Sequence, residues 1–440
     1  MKRLIALLMC MLIPFSALSE TLPVVTVQTA WPNGMQVTRT ADVPVTTISL
    51  DIDPNMLICG VYPEEPTACY DLRHEYGPHE LVNFDVHTVT HVEKHEGEGL
   101  LWGVDITDYR VENAWEMSEG VLLWGATDWS LDAYGVPRTH WISLLSHEGE
   151  VLWSHQMEEW DKLDDLDVAL DNGDGTWTLF GTAGYNKEKQ LLMRRLSADG
   201  TELSSCCTPM ADIGLEAMQS LGYNIVWATR DGDGYLLHLR GYMYGYESLS
   251  HILQVRNDGA VAQAICHDGD KKRYTWEDVC LIGNELWLSG YAVSLNSYEE
   301  DLQSARTEIS HILRDAYRRC FGWEVNLGLF SFNLGGKPVT SEWLTPQLRA
   351  NYTALLLRCD ASTGDVLAAY TVPECLGGNL TRDRSGGILW DVHRFVDSAY
   401  SPATSSFTIA ATMQVYRCGF DDQGSFRWAM DTGEYMDYRR

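Results

Sequence analysis

Basic residues are scarce in this sequence. Lys and Arg number 32 against 62 Asp and Glu, a formal charge of −30 over 440 residues. A surface this negative repels phosphate backbones, which excludes nucleic-acid binding as a main role. Anionic membrane surfaces are disfavoured for the same reason. Long apolar runs are missing too: no stretch reaches the roughly 20 residues needed to cross a bilayer as a helix. The chain has no Gly-x-Ser-x-Gly elbow, no phosphate-binding loop, no His-Glu-x-x-His and no EF-hand loop with its closing Glu. What it does have is apolar and aromatic mass: 45% hydrophobic residues, 16 Trp and 37 Gly. That composition supports a large core and excludes a disordered chain.

The first 19 residues read as a secretory signal peptide. Lys2 and Arg3 precede the apolar run Leu4–Ile13, and Ala17 and Ser19 supply small residues before a cut at Glu20. The expected mature chain, 20–440, is then secreted or extracytoplasmic and without a membrane span. Removing Cys10 leaves ten of the 11 cysteines, an even number where disulfides persist. Cys59 with Cys69 and Cys266 with Cys280 are the nearest candidate pairs, with buried thiols as the alternative.

Internal repetition is the informative pattern. Six segments read strand, tight turn, strand, with turn glycines Gly97, Gly149, Gly200, Gly259, Gly364 and Gly424, separated by 52, 51, 59, 105 and 60 residues. A second turn family lies upstream of each: Asp53-Pro-Asn55, Ser118-Glu-Gly120, Asn172-Gly-Asp-Gly175, Asp231-Gly-Asp-Gly234, Ile282-Gly-Asn284 and Ser385-Gly-Gly387. Apolar strands follow most of them, such as Leu57-Ile-Cys-Gly60, Leu122-Leu-Trp-Gly125 and Leu286-Trp-Leu-Ser-Gly290. Two hairpins per unit give four strands per unit, which is the arithmetic of a β-propeller blade. The expected fold is an all-β propeller of six blades, with seven as the alternative count.

The 105-residue interval holds an insertion at about 297–350, between strands B and C of the fifth blade. Leu302, Ala305, Ile309, Ile312, Ala316 and Tyr317 recur at helical spacing within 298–317. Leu329–Phe332 and Pro338–Trp343 are expected to pair as a hairpin through Gly335-Gly336. In propellers the B–C loops and the connections between blades share one face, where ligands are usually met.

Arg358-Cys-Asp-Ala-Ser-Thr-Gly-Asp-Val-Leu367 and Ser146-His-Glu-Gly-Glu-Val-Leu-Trp-Ser154 resemble the outer hairpin of quinoprotein-like propeller repeats. The resemblance covers about ten residues in each of a few blades and implies a fold; it does not imply an activity. Quinone-dependent alcohol dehydrogenases carry a vicinal disulfide at their cofactor, and Cys206-Cys207 is similar to it in sequence. Asp171-Asn-Gly-Asp-Gly-Thr-Trp177 resembles the Asp-box hairpin of sialidase blades, with its spacing off by one residue.

The remaining candidate chemistry is aromatic. Expected B–C loops carry Trp129, Tyr134, Tyr242, Tyr244, Tyr246, Tyr298 and Tyr400. Rings with polar tips suit sugars and peptides; packing between blades is the bland alternative. Trp124, Trp287 and Trp390 sit within strands and read as core. His74, His79, His87, His91 and His95 are concentrated near the start without tight metal spacing. The acids of 158–167 read as a solvated connection. The expected function is a monomeric binding or interaction module for an extracellular glycan or protein, with no cofactor required and calcium left open. The alternatives are a carbohydrate-active hydrolase and, behind it, a quinone-dependent oxidoreductase.

Overall fold

Alternating apolar residues between turn glycines produce antiparallel sheets, each joined to the next by a short connection. The computed structural model describes residues 21–31, 33–50, 69–78, 85–96, 99–127, 139–157, 160, 164–184, 189–210, 212, 223–243, 246–269, 272–294, 309–327, 330–383, 386–402 and 407–439. The chain opens with a hairpin, β1 (Thr21–Ala30) and β2 (Met35–Thr47). The first blade shows β3 (Cys69–Pro78), β4 (Asp85–Glu96) and β5 (Gly99–Ile106). The strand beside β4 is therefore Cys69–Pro78. Leu57–Gly60, expected in that place, lies outside the described residues. Tyr70 and Leu72 fix the choice, since they pack with Val92 against the second blade.

Four strands each make up the second blade, β6 (Arg110–Met117), β7 (Gly120–Ala126), β8 (His140–Leu145) and β9 (Val151–Met157), and the third, β10 (Asp165–Asp171), β11 (Thr176–Ala183), β12 (Gln190–Ser197) and β13 (Glu202–Pro209). The fourth blade is β14 (Tyr223–Asp231), β15 (Gly234–Met243), β16 (Tyr246–Arg256) and β17 (Val261–Gly269). The fifth has β18 (Lys272–Ile282) and β19 (Glu285–Ser294), then, after the insertion, β22 (Tyr352–Asp360) and β23 (Val366–Pro373). Last come β24 (Cys375–Arg382), β25 (Ile388–Pro402), β26 (Phe407–Phe420) and β27 (Phe426–Arg439). Six antiparallel units in chain order, touching through their first strands, are a six-bladed β-propeller. Trp124, Trp177, Trp276 and Trp390 are fully buried between them.

Two repeated contacts join neighbouring blades. In the first, the outer strand of one blade donates to the C–D hairpin of the next. Trp102 Nε1 reaches His147 O at 2.7 Å, Trp153 Nε1 reaches Ala198 O at 3.0 Å, and Thr208 Oγ1 reaches Gly259 O at 3.3 Å. His267 Nε2 and Tyr370 Oη make the same contact with Gly364 O and Gly424 O. The hairpin glycines Gly149, Gly200, Gly259, Gly364 and Gly424 have φ between 72° and 87°, which an L side chain resists.

The second contact involves a bulge in the first strand of a blade, at Val111/Asn113, Leu166/Val168, Ile225/Trp227, Trp276/Asp278 and Gly377/Leu380. Each bulge frees a backbone N–H from its ladder. Thr90 Oγ1 accepts from Val111 N, Asp167 Oδ2 from Ile225 N and Asp278 Oδ2 from Leu380 N. Gly125, Gly181 and Gly290 face the bulges, where an added Cβ would collide with Arg110 O, Asp165 O and Thr275 O. That collision explains the glycine that closes the apolar second strands.

The insertion holds α1 (Ser310–Phe321), a hairpin of β20 (Trp323–Leu327) and β21 (Phe330–Leu334), and α2 (Ser341–Asn351). The hairpin partner of 330–334 is thus 323–327 and not 338–343. Pro338 lacks the ladder donor, and Thr340 O instead accepts from Trp343 N and Leu344 N to start α2. Ile309 and Ile312 at α1, with Leu344 and Leu348 of α2, pack on Phe395, Ile409 and Met413 of the last blade. No helix among the described residues is long and apolar enough to cross a membrane.

The N-terminal hairpin closes the outer edge of two blades. β1 pairs antiparallel with β17, with Val27 opposite Cys266, and β2 pairs parallel with β23, with Val45 opposite Ala369. With the β17–β18 pairing of Gly269 and Lys272, blades four and five merge into one ten-stranded sheet.

Candidate functional site

The histidines concentrated near the start are sorted by the first blade into two faces, because side chains alternate along a strand. On the face turned to the second blade, at the end carrying the β3–β4 connection, His74 Nδ1 lies 3.1 Å and His87 Nε2 2.9 Å from Thr90 Oγ1. A shift in register at Glu75/Tyr76 places Tyr76 opposite His87. The Tyr76 and His87 rings meet edge to face at 6.0 Å, and His74 and His87 at 5.8 Å. Arg110, at the start of β6, pairs with Glu112 beside them. Tyr76 is about half exposed, so its ring is the part of the group open to a ligand.

The electrostatics follow from the Thr90 hydroxyl, which has one proton and two lone pairs. It already accepts Val111 N at 3.1 Å, so it can satisfy one donating and one accepting imidazole but not two imidazolium ions. Burial holds the His74 ring below its ordinary range, and the Arg110 charge pushes the same way while Glu112 opposes it. Glu112 and burial compete on Arg110, whose guanidinium stays charged. The junction therefore presents two imidazole rings that are not both charged and a tyrosine as an aromatic wall, next to a fixed Arg–Glu pair.

The opposite face of the same sheet is charged. His91 sits between Asp105 (Nδ1, 2.7 Å) and Glu75 (Nε2, 3.1 Å), and those carboxylates raise its affinity for a proton. Asp71, Glu93 and His95 bring one donor atom each within 4.8 Å of one another, the donor set a divalent cation could use.

The aromatic residues expected to bind ligand fall differently. Trp129, Tyr134, Tyr244 and Tyr298 lie outside the described residues, as do the side chains of Tyr242 and Tyr246, whose backbones sit in β15 and β16. Tyr400, on β25, is half-buried against the apolar cluster under the insertion. Cys59 lies outside the described residues, and of Cys69 only the backbone, in β3, is described. Cys266 is a free thiol, so the expected Cys266–Cys280 bridge is not formed. Cys266 is on the outer strand β17, and Cys280 faces Trp287 across β18 and β19. Cys206 is likewise a free thiol, under Gly259 on the outer strand β13, and makes no vicinal disulfide with Cys207.

The turn acids serve their own turns. Asp171 Oδ1 accepts Gly173 N and its Oδ2 accepts Ser118 N of the previous blade; Asp174 Oδ1 accepts Thr176 N. The acids at the end of the 158–167 run are structural too. Asp164 is buried against Arg194, which stacks 4.3 Å from the Trp160 ring. The sequence signal for the junction site was the histidine concentration read with a period of two; Arg110 and Glu112 carried none.

No family model matches the chain, and no curated protein matches it in sequence. Among solved structures it is similar to a quinohemoprotein alcohol dehydrogenase from Pseudomonas putida, at 9% identity and a TM-score of 0.36, over 77% of this chain and 61% of that one. It is similar to a neuraminidase-like protein of A/little yellow-shouldered bat/Guatemala, at 10% identity and a TM-score of 0.35, over 82% and 95% of the two chains. A eukaryotic initiation factor matches at 8% identity and a TM-score of 0.27, over 95% and 98%. The chain spans about three fifths of the quinohemoprotein's length.

Proposed function

We propose that this propeller is an exported binding module and that an extracellular glycan docks at the junction of its first two blades. The observation that carries the reading is the half-exposed Tyr76 ring, backed by His74 and His87 and flanked by the Arg110–Glu112 pair. A ring face covers the apolar side of a sugar at low entropy cost. An arginine–carboxylate pair supplies both a donor and an acceptor for adjacent hydroxyls. The inner-strand acids Asp167 and Asp278 are engaged by the next blade's backbone, which supports binding over hydrolysis. The layout of residues 2–19 supports export.

A glycan array run with wild type, Tyr76→Ala and Arg110→Gln tests this site. Loss of the bound set in both variants, with melting temperatures kept, is expected; three identical profiles reject the site. A Tyr242/Tyr244/Tyr246→Ala variant on the same array reports whether those loop aromatics extend it. An array blank for every protein, with a protein partner recovered instead, would replace the glycan by a protein ligand.

A further inference from the structure

The connection from the fifth blade to the sixth is a single residue. Glu374 lies between β23 and β24 with φ 62°, and among the described residues it is the one non-glycine in the left-handed region. Glycine occupies that region at the other tight turns, at φ 72° for Gly364 and 78° for Gly424, because an L side chain crowds its own carbonyl there. A glutamate held in this conformation is strain that the turn itself does not require.

The Glu374 side chain lines a cleft of about 360 Å³ with Thr47 at the end of β2, Ser49 and Leu50 beyond it, Val372 of β23, and Arg394 of β25. Glu374 Oε2 accepts from Arg394 Nη2 at 2.8 Å. Arg394 Nε is buried and has no hydrogen-bond partner, although a guanidinium carries five donors in a fixed fork. The cleft wall thus joins a partly exposed guanidinium to a partly exposed carboxylate, with apolar side chains alongside.

Charge balance selects the ligand. The Arg394–Glu374 pair is neutral as it stands. A simple anion on Arg394 would compete with Glu374, and a simple cation on Glu374 would compete with Arg394; either leaves one charge uncompensated. A molecule carrying both signs a bond or two apart leaves neither. We propose that this cleft binds a free α-amino acid, with its carboxylate on Arg394, its ammonium on Glu374 and its side chain against Leu50 and Val372. The site is separate from the junction site and does not rest on it.

Titration calorimetry of the whole protein with each of the twenty standard amino acids tests the proposal, alongside N-acetyl-L-leucine and L-leucinamide as singly charged controls. At least one amino acid should bind, and blocking either charged group should weaken binding by about tenfold or more. Arg394→Lys keeps the charge but not the fork and should lose about tenfold. Glu374→Gly removes the strain, so it should melt higher than wild type while losing the amino acid. No heat from any of the twenty at 10 mM, equal binding of the blocked forms, or full affinity in Glu374→Gly would overturn it.

Discussion

Asp167 of the third blade accepts the backbone N–H of Ile225 in the fourth, at 3.0 Å. The contact exists because a bulge in each strand has displaced a residue from its ladder. Burial, aided by Asp165, pushes the Asp167 carboxyl up to about 7, against the opposing pull of the Ile225 N–H and Lys189. A carboxyl whose folded pKa is raised holds its proton longer in the folded state, so its contribution to stability fades as pH rises from about 4 to about 7.

Asp167→Asn keeps an acceptor for Ile225 N and removes the titration. The variant should match wild type at pH 4.5 and exceed it at pH 8, on the order of 2 kcal/mol. Urea unfolding at the two pH values measures this; parallel curves at both would show that Asp167 does not titrate in this range.

Buried histidines act with the opposite sign. Burial drives His238 down to about 3 and His251 to about 4, and also lowers His267 and His393. The unfolded chain therefore takes up protons first, and stability should fall as pH drops below about 6.5 and go on falling toward 4. His238→Gln should flatten that slope; a slope unchanged by the substitution would place the acid sensitivity elsewhere.

Substitution of the glycines that face bulges should be costly. Gly181→Ala and Gly290→Ala put a Cβ into Asp165 O and Thr275 O, at a cost of about 2–3 kcal/mol. Gly173→Ala meets open space and should cost about 1 kcal/mol, for its φ of 71° alone. Thermal melts of the three rank them, and equal losses would contradict the bulge argument.

Trp153→Phe keeps an aromatic ring on β9 but deletes the donor to Ala198 O and the distal ring atoms beside Gly200. About 1 kcal/mol of stability should go with it, without change in oligomeric state. A melting temperature equal to wild type would show that the outer contact adds nothing.

Deleting residues 21–47 uncovers the outer edges of β17 and β23, which the N-terminal hairpin now pairs. Open edges recruit other strands, so the truncated protein should self-associate on a sizing column and melt lower. A monodisperse monomer of unchanged stability would make the hairpin an ornament of the fold.

The blade count was legible because each turn is local. A glycine at positive φ between two apolar strands is decided by neighbours within ten residues, and Gly149, Gly200, Gly259, Gly364 and Gly424 each mark one. The N-terminal hairpin was not legible: Val27 finds Cys266 across more than two hundred residues, and nothing in either segment names the other. α2 was hidden by Pro338 and Pro346 and by polar residues, since its stability comes from Leu344 and Leu348 docking on the last blade.

Composition, turn chemistry and apolar alternation by themselves determined an acidic, six-unit, all-β chain with an insertion in its fifth unit. Tertiary structure alone decided which side chains meet. The one-residue shift of a bulge sets which face His74, Tyr76 and His87 share, and a one-residue connection puts Glu374 against Arg394. Local propensity is summed along the chain, whereas a site depends on register and on packing between blades, and neither quantity is local.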